Sequence, residues 1–299
     1  MAIIAFLPEW GLIRASGPDA QTFLHGQLTN DLLQLAPEAV QWSGYCTAKG
    51  RMLAGFLVWR DGADGYYLAT DRTIAGGLAK RLSMYVLRAK VKIEDVSAQF
   101  AAFGKMGGPG PAPFASSLQG DAWIVGLPAV DGTARALAWV PTEAAAGYAL
   151  AEGHAMADAS DWMRLMVHAG EAWITPATQE QFVPQMVNFD AVGGISFKKG
   201  CYPGQEIVAR AHYRGAVKRR MYRASVTAPA KSGDVLFASD LNGQESGLVA
   251  LAAPDGKGGS EILAVLQIQS HDAAEVRLGN PDGPQLHFDS LPYAFPDSP

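Results

Sequence analysis

The segment VGGISFKKGCYPGQEIVARAHYRG, residues 192–215, carries the densest group of chemically distinctive residues in the chain and decides the fold assignment. Its Tyr-Pro-Gly sequence predicts a type II turn, because Pro203 fixes φ at the second position and Gly204 accepts the positive φ needed at the third. Gln205 begins a predicted helix that ends near Gly215, a residue suited to a left-handed C-cap. The segment therefore places Cys201 just before a basic helix.

Cys201 is a candidate reactive thiol. It precedes the predicted helix by one turn and lies two residues from Lys199. A nearby cation and the positive end of a helix dipole both favour the thiolate, which is the reactive form. The alternative is that Cys201 is a small buried hydrophobe, as lone cysteines often are. That alternative is the prediction for Cys46, which lies inside a predicted strand.

Positive charge is concentrated around this segment. The chain has a net charge of -5, yet residues 198–223 contain eight basic residues and a single acid, Glu206. The basic residues are Lys198, Lys199, Arg210, Arg214, Lys218, Arg219, Arg220 and Arg223. A positive patch on an acidic body suits an anionic ligand, such as a polyglutamate tail, a phosphate group or RNA. The alternative is a solvated basic helix end that has no partner.

Length and composition limit the class of protein. At 299 residues the chain exceeds the roughly 250 at which single cores stop growing, which predicts two or three domains. No apolar run approaches the ~18 residues that span a bilayer, and the N-terminus lacks the basic region of a signal peptide. Two distant cysteines fit a reducing cytoplasm. The histidines show no metal-ligand spacing, so no permanently bound metal is predicted.

The familiar short motifs of hydrolases and nucleotide enzymes are missing from the sequence. It contains no P-loop, no G-x-G-x-x-G after a strand and no G-x-S-x-G. Nucleotide hydrolysis, dinucleotide chemistry and serine hydrolysis are therefore unsupported.

The hydrophobic pattern predicts an α+β chain in three parts. Strands and helices alternate over residues 1–104, which form a first α+β lobe. A second α+β lobe spans residues 105–217 and carries the KGCYPGQE segment, and exchange of segments between the two lobes is left open. Evenly spaced short strands separated by glycine-rich turns over residues 218–299 predict a C-terminal β-barrel.

Several local elements can be predicted from particular residues. Gly50 is available for the positive-φ position of a hairpin turn, and Asp71 is suited to cap a helix whose apolar stripe extends to Tyr85 and Val86. Further helices are expected over residues 142–152 and 158–170. Residues 104–120 are rich in glycine and proline and are predicted to be a surface loop or a lobe boundary.

The run KKGCYPGQEIVARAHYRG, preceded by QFVPQMVNFDAVGGISF, closely resembles the signature of the YgfZ family, relatives of the glycine-cleavage aminomethyltransferase, the T-protein. FLHGQLTNDL (23–32) and YCTAKGRML (45–53) are similar to further family motifs, and the order of elements matches along essentially the whole chain. The resemblance implies an aminomethyltransferase-like ring of three domains. Two ferredoxin-like lobes and the barrel would surround a central folate-binding channel.

The resemblance also implies roles for particular residues. Cys201 would be the functional thiol and Lys199 would tune it. Trp10 and Trp162 match positions associated with folate contact, and an indole face is a suitable platform for a flat pterin. The alternative for both tryptophans is a place in the core. The remaining residues implied in folate binding are Tyr202, Gln205, Glu206 and Arg210.

Two departures from the wider aminomethyltransferase group bear on function. His168 occupies a position that is often acidic, where a carboxylate pairs with pterin donors, and this leaves the mode of pterin recognition open. The catalytic aspartate of the T-protein falls within an Asp-Asp pair, and the matching positions here are Ala54 and Gly55. Without that carboxylate the amine of tetrahydrofolate has no acid-base partner at the reacting carbon.

The sequence, read with this resemblance, predicts a cytoplasmic, monomeric, tetrahydrofolate-binding accessory protein. It would support the assembly or repair of iron-sulphur enzymes and tRNA modification, with iron-sulphur enzymes or their assembly factors as partners. One alternative is a folate-dependent one-carbon transferase. Another is direct RNA binding by the basic segment, which has little aromatic interleaving beyond Tyr202 and Tyr213.

Overall fold

The computed structural model describes residues 3–150, 154–213 and 217–296, which form three β-sheets with helices packed against them. The strands are β1 (Ile3–Phe6), β2 (Trp10–Ser16), β3 (Val40–Cys46), β4 (Met52–Arg60), β5 (Gly65–Asp71), β6 (Lys92–Asp95), β7 (Phe100–Met106), β8 (Ser116–Gln119), β9 (Ala122–Val130), β10 (Thr133–Pro141), β11 (Ala155–Ala157), β12 (Arg219–Val226), β13 (Val235–Ala238), β14 (Glu245–Pro254), β15 (Ser260–Gln267), β16 (Val276–Leu278) and β17 (His287–Asp289). The helices are α1 (Ala20–Gln27), α2 (Arg72–Ser83), α3 (Ala145–Leu150), α4 (Ala159–Ala169), α5 (Gln205–Tyr213) and α6 (Ile268–Ala273). The predicted α+β class is confirmed.

The first sheet is antiparallel, with strand order β3-β4-β5-β2-β6. Its helices α1 and α2 bury leucines such as Leu24 and Leu78 in one apolar cluster with the sheet. The predicted cap of α2 is confirmed, because the Asp71 carboxylate accepts a hydrogen bond of 2.8 Å from the backbone N–H of Thr73. The helix ends at Ser83, so the prediction that Tyr85 and Val86 continue its apolar stripe is wrong, and Tyr85 is 47% exposed.

The second sheet has the order β11-β1-β7-β10-β9-β8 and therefore includes the first strand of the chain. β1 pairs antiparallel with β7 and parallel with β11, while β2 lies in the first sheet. The prediction that residues 104–120 are all loop is wrong, because β8 pairs with β9 and Ser116 donates its N–H to the carbonyl of Glu38 at 2.7 Å. The sequence SSLQ has little strand propensity, so tertiary pairing produces this strand.

The third sheet is a curled half-barrel with the order β16-β13-β14-β15-β12-β17. Its antiparallel strands follow the apolar runs predicted from sequence, and their buried side chains form a separate cluster around Leu236, Ile262 and Leu266. The short strand β17 and helix α6 were not predicted. In the part of the chain described, no helix has the length and apolar character needed to cross a bilayer.

Helix α4 links the sheets through the largest apolar cluster. Asp158 caps its N-terminus, and Gly170, at φ +66°, ends it in the left-handed conformation. Trp162 is fully buried and packs on Gly104 of β7, where an added Cβ would lie 2.4 Å from the indole. The predicted helix over 158–170 is confirmed.

Three predictions extend outside the described ranges. They concern Ala2 at the start of the first strand, Glu152 at the end of the helix that contains α3, and Gly215 with Arg214 at the end of α5.

Candidate functional site

The turn after Cys201 packs directly on the turn of the β3–β4 hairpin. Gln205 donates its N–H to the carbonyl of Tyr202 at 3.2 Å and Gly204 has φ +82°, which confirms the predicted type II turn. A Cβ on Gly204 would lie 2.5 Å from the carbonyl oxygen of Thr47 and 2.6 Å from the Cα of Gly50. Gly50 has φ +70°, as predicted for the hairpin. The KGCYPGQE and YCTAKGRML motifs therefore meet through two glycines.

The segment before Cys201 is bonded to the motif FLHGQLTNDL. The hydroxyl of Thr29 donates to the carbonyl of Gly194 at 2.6 Å, and Ser196 returns an N–H to the carbonyl of Thr29 at 3.0 Å. The amide of Asn30 donates to the carbonyl of Gly193 at 2.7 Å. These bonds fix the chain leading to the thiol against the end of α1.

Lys199 anchors this segment to α1. Its side chain is buried, and its ammonium donates to the carbonyl of Leu28 at 2.6 Å and to the carbonyl of His25. Both carbonyls belong to the C-terminal end of α1, where helical partners are missing. Burial lowers the pKa of Lys199 to about 8, against the opposing effect of Asp31. The ammonium also lies 5.0 Å from the centroid of the Tyr202 ring.

Cys201 is exposed, whereas Cys46 is buried, as predicted for Cys46. Burial raises the pKa of the Cys46 thiol to about 12, which keeps it protonated and inert. The residue before Cys201 faces a histidine, because a Cβ on Gly200 would lie 3.9 Å from Nε2 of His25. Burial and the nearby Lys199 lower the pKa of His25, while Asp31, with Oδ1 3.2 Å from Nδ1, opposes them.

Helix α5 follows the turn and exposes most of its polar residues. Glu206 and Arg210 are exposed, and Gln205 is half-buried with its amide 3.5 Å from the carbonyl of Lys199. Val208 is fully buried, as its predicted inward position requires. The prediction that Ile207 also packs inward is only partly correct, since it is 42% exposed while its Cβ lies close to Gly50.

The positive patch is weaker than the sequence count suggests. Arg220 is buried and forms a bidentate pair with Asp190, at 2.6 and 2.9 Å. Arg223 lies 3.6 Å from Glu261 of β15. These acids come from outside residues 198–223, so a local count of charges could not include them.

A cavity of about 300 Å³ lies between the first two sheets, the segment before Cys201 and the C-terminal segment. Its lining residues are Trp42, Phe114, Pro128, Ala129, Val130, Ala169, Glu171, Ala191, Val192, Pro292 and Tyr293. Glu171 forms a buried bidentate pair with Arg135, at 2.7 and 3.0 Å. The hydroxyl of Tyr293 donates to the carbonyl of Gly170 at 2.7 Å, and burial raises its pKa.

Neither Trp10 nor Trp162 is among the described residues that line this cavity. Trp10 lies behind the wall: its ring centroid is 4.1 Å from that of Trp173, which in turn is 6.4 Å from that of Trp42. Trp42, Glu171 and Tyr293 were not singled out from the sequence. The alternation of β3 places Trp42 on the strand face of Cys46 and opposite Tyr45, but it does not show that Trp42 borders a cavity.

His168 bridges β15 and the hairpin between β9 and β10. Its Nδ1 lies 2.6 Å from Oδ2 of Asp131, and its Nε2 contacts the carboxylate of Glu261. The histidine thus joins the second and third sheets. Over the described ranges, no group of three or more His, Cys, Asp or Glu residues could hold a metal ion.

The fold is that of the aminomethyltransferases. The structure matches the glycine cleavage system aminomethyltransferase T from Bartonella henselae with a TM-score of 0.73 and 16% sequence identity, over 97% of this chain and 86% of that chain. At this identity the likeness defines the fold alone.

Sequence relatives define the family. The chain is 30% identical to the tRNA-modifying protein YgfZ of Escherichia coli K12, over 97% of this chain and 92% of the relative. The same values hold for the proteins of that name from Escherichia coli O139:H28 and Shigella flexneri. This chain therefore belongs to the YgfZ family. No protein-family model matches it.

Proposed function

We propose that this chain is a cytoplasmic, folate-binding accessory protein that supports tRNA modification by maintaining or assembling iron-sulphur enzymes, with Cys201 as its functional thiol. The observation that carries the proposal is the convergence of three sequence motifs beneath one exposed thiol, on a segment that begins at a cavity in an aminomethyltransferase fold. The names of the relatives support the link with tRNA modification.

The cavity residues fit a reduced folate. A volume of about 300 Å³ is within the range of small-molecule sites and suits a pterin. Trp42 contributes apolar surface to the wall of the cavity. Glu171 is paired with Arg135, yet a carboxylate has about four acceptor positions and can also accept from pterin N–H groups. When bound, tetrahydrofolate would supply an amine that carries one-carbon units.

The segment between the cavity and the thiol gives the two sites a common support. Val192 lines the cavity, and the bonds of Thr29 and Lys199 hold the chain from there to Cys201. Because the thiol is exposed, it would meet a partner protein rather than a ligand enclosed in the cavity. Lys198, Glu206 and Arg210 are exposed nearby and would contact that partner or the folate glutamate tail.

A one-carbon transferase is less well supported. Ala54 is fully buried, and a Cβ on Gly55 would lie 2.8 Å from Cζ of Phe189. The Phe189 ring fills the space next to Gly55, so a carboxylate there would require repacking of the core. The chain's own residues therefore offer no substitute for the missing aspartate at this point.

Binding of tetrahydrofolate, measured by calorimetry, tests the cavity. Ala191→Phe fills the cavity without removing a core side chain. Trp42→Phe replaces the indole with a smaller ring and so reduces the aromatic surface of the cavity. We expect Ala191→Phe to abolish binding and Trp42→Phe to weaken it, while Ala98→Phe at an exposed position leaves binding unchanged. Unchanged affinity in folded Ala191→Phe protein would remove the cavity from the proposal.

Complementation tests the thiol. We expect Cys201→Ala to fold and bind tetrahydrofolate normally, yet fail to restore iron-sulphur enzyme activity and tRNA modification in a strain that lacks the gene. Cys46→Ala is the matched control and should restore both. Full rescue by Cys201→Ala would rule out a functional role for the thiol, and it would leave the proposed folate site untouched.

A further inference from the structure

A second feature of the molecule, outside the site described above, is an unneutralised lysine in the middle of a sheet. Lys105 lies on β7 between Ile4 of β1 and Ala136 of β10 and is only 9% exposed. Within the described ranges its ammonium forms no hydrogen bond or ion pair with the protein. The Nζ atom itself keeps contact with solvent and is therefore free to pair with an anion that enters from outside.

Lys105 borders a cavity of about 360 Å³. The lining residues are Lys105, Gly107, Gly108, Pro109, Gly110, Pro111, Pro113, Leu127, Ala129, Ala134, Arg135 and Ala136. Among these described residues there is no acid, and the guanidinium of Arg135 is already engaged by Glu171. The side chains lining this cavity are apolar apart from Lys105 and Arg135, and an adjoining cavity that Lys105 also borders contains one acid, Glu38.

The rim of the cavity is preformed. It is the glycine-proline loop of residues 107–113, which is attached to β10 where Gly107 donates to the carbonyl of Ala134 at 2.8 Å. At its other end the loop lies on Gly126 of β9, where an added Cβ would be 2.3 Å from the carbonyl oxygen of Ala112. Prolines at 109, 111 and 113 fix φ along the rim. A rigid rim lowers the entropy lost on binding.

This cavity shares Ala129 with the proposed folate cavity, but Lys105 does not line that cavity. Side chains alternate along β7, so Lys105 shares a face with Phe103, which belongs to the cluster beneath α3. Gly104 faces the other way and contacts Trp162 in the central core. Lys105 therefore opens onto the face of the sheet opposite that core.

We propose that the Lys105 cavity binds a small organic oxyanion, whose carboxylate or phosphate pairs with Nζ of Lys105. The compact apolar body of the ligand packs against Leu127, Ala136 and the proline rim. A cavity of this size with a single polar anchor is typical of small-ligand sites. The ligand neutralises a charge that the fold leaves unpaired.

Two probes test the proposal: 4-bromobenzoate for a carboxylate and phenyl phosphate for a phosphate. Calorimetry with the full chain should give saturable binding of at least one probe at concentrations up to about 10 mM, enough to saturate a site with a Kd near 1 mM. Crystals soaked with 4-bromobenzoate should show an anomalous bromine peak inside the cavity, with the carboxylate at Lys105. Binding of one probe alone identifies the anion class.

Lys105→Met should lower the affinity about tenfold or more, since it removes a charge-assisted hydrogen bond. Gly110→Leu keeps the lysine and fills the cavity, because a Cβ at Gly110 points to Ala136 at 3.7 Å without a positive φ. It should abolish binding in folded protein. Lys90→Met, at an exposed lysine, should bind like the unmodified chain.

The proposal fails if neither probe binds, or if Lys105→Met and Gly110→Leu bind as well as the unmodified chain. Tetrahydrofolate binding should be unchanged in both variants. The outcome is therefore independent of the proposed function.

Discussion

The ammonium of Lys199 donates a hydrogen bond to the carbonyl oxygen of Leu28, with Nζ and O 2.6 Å apart across 171 positions of sequence. Leu28 is the C-cap of α1, and the second acceptor, the carbonyl of His25, lies in the last turn of the same helix. A cation at a helix C-terminus satisfies free carbonyls and interacts favourably with the helix dipole. The lysine next to the thiol therefore holds the thiol segment onto the first sheet and its helices.

This anchor predicts a pH dependence of stability. Burial lowers the pKa of Lys199 from 10.5 to about 8, so the unfolded chain binds more protons than the folded chain between these values. The free energy of unfolding should therefore rise with pH across this window, and the cost of burying the charge is fully present below pH 8. The free energy of unfolding should rise by at most about 3 kcal/mol across this window. The hydrogen bonds from the Lys199 ammonium to the two carbonyls favour its charged form and so limit the rise.

Urea unfolding at several pH values between 7 and 10.5 measures this effect against two variants. Lys199→Met leaves the carbonyls without a donor and should cost about 1–3 kcal/mol at pH 7, and its stability should lack the rise attributed to Lys199. Lys198→Met, at the exposed neighbour, should retain the rise. An identical pH profile in Lys199→Met and the unmodified chain would contradict the assignment.

Gly204→Ala tests the contact between the two turns. The substitution meets both a positive φ of +82° and backbone atoms of Thr47 and Gly50 within 2.7 Å of the new Cβ. Gly132→Ala is a matched control, since Gly132 has φ +75° but no atom within 4 Å of its Cβ position. The control should cost about 1–2 kcal/mol from its backbone conformation alone, and Gly204→Ala clearly more. Equal losses of stability in Gly204→Ala and Gly132→Ala, measured by thermal unfolding, would show that the contact between the two turns does not require a residue without a side chain at position 204.

Local features of the fold were predictable because their causes are local. The type II turn at Tyr202, the cap at Asp71 and the left-handed end of α4 at Gly170 each follow from one or two residue types. The membership of β1 in the second sheet did not follow, since Ile3 pairs with Met106 and Ala155. Nothing in the sequence near Ile3 encodes partners so distant.

The candidate site was predictable to a similar extent. The motifs identified Cys201 and Lys199, but the carbonyls that hold the lysine carry no side-chain signal and could not be found from residue types. The sequence also could not determine which indole lines a cavity. Trp42 is one of the residues that line the cavity while Trp10 lies behind Trp173, a difference set by the packing of two sheets.

Leu87 is a position where the fold carries local strain. It is 89% exposed and has φ +47°, a conformation that costs a bulky L-residue about 1–2 kcal/mol. Asparagine tolerates this conformation, so Leu87→Asn should raise the free energy of unfolding by roughly 0.5–1 kcal/mol. Leu118→Asn, at an exposed leucine of β8, should lower it, since asparagine is unfavourable in strands. A loss of stability in Leu87→Asn would mean that the leucine makes contacts that outweigh the strain.

The two cysteines should differ sharply in reactivity. Cys201 is exposed, whereas Cys46 is 2% exposed with its pKa raised to about 12 by burial. Titration of the native protein with a chromogenic disulfide should therefore detect a single fast thiol, and the second only after unfolding. Cys201→Ala should remove the fast thiol and leave stability unchanged. Cys46→Ala should keep it and lower stability, because it opens a small void in the core. A fast-reacting thiol in native Cys201→Ala protein would show that Cys46 becomes accessible through local opening. Exposure would then no longer distinguish Cys201 as the functional thiol.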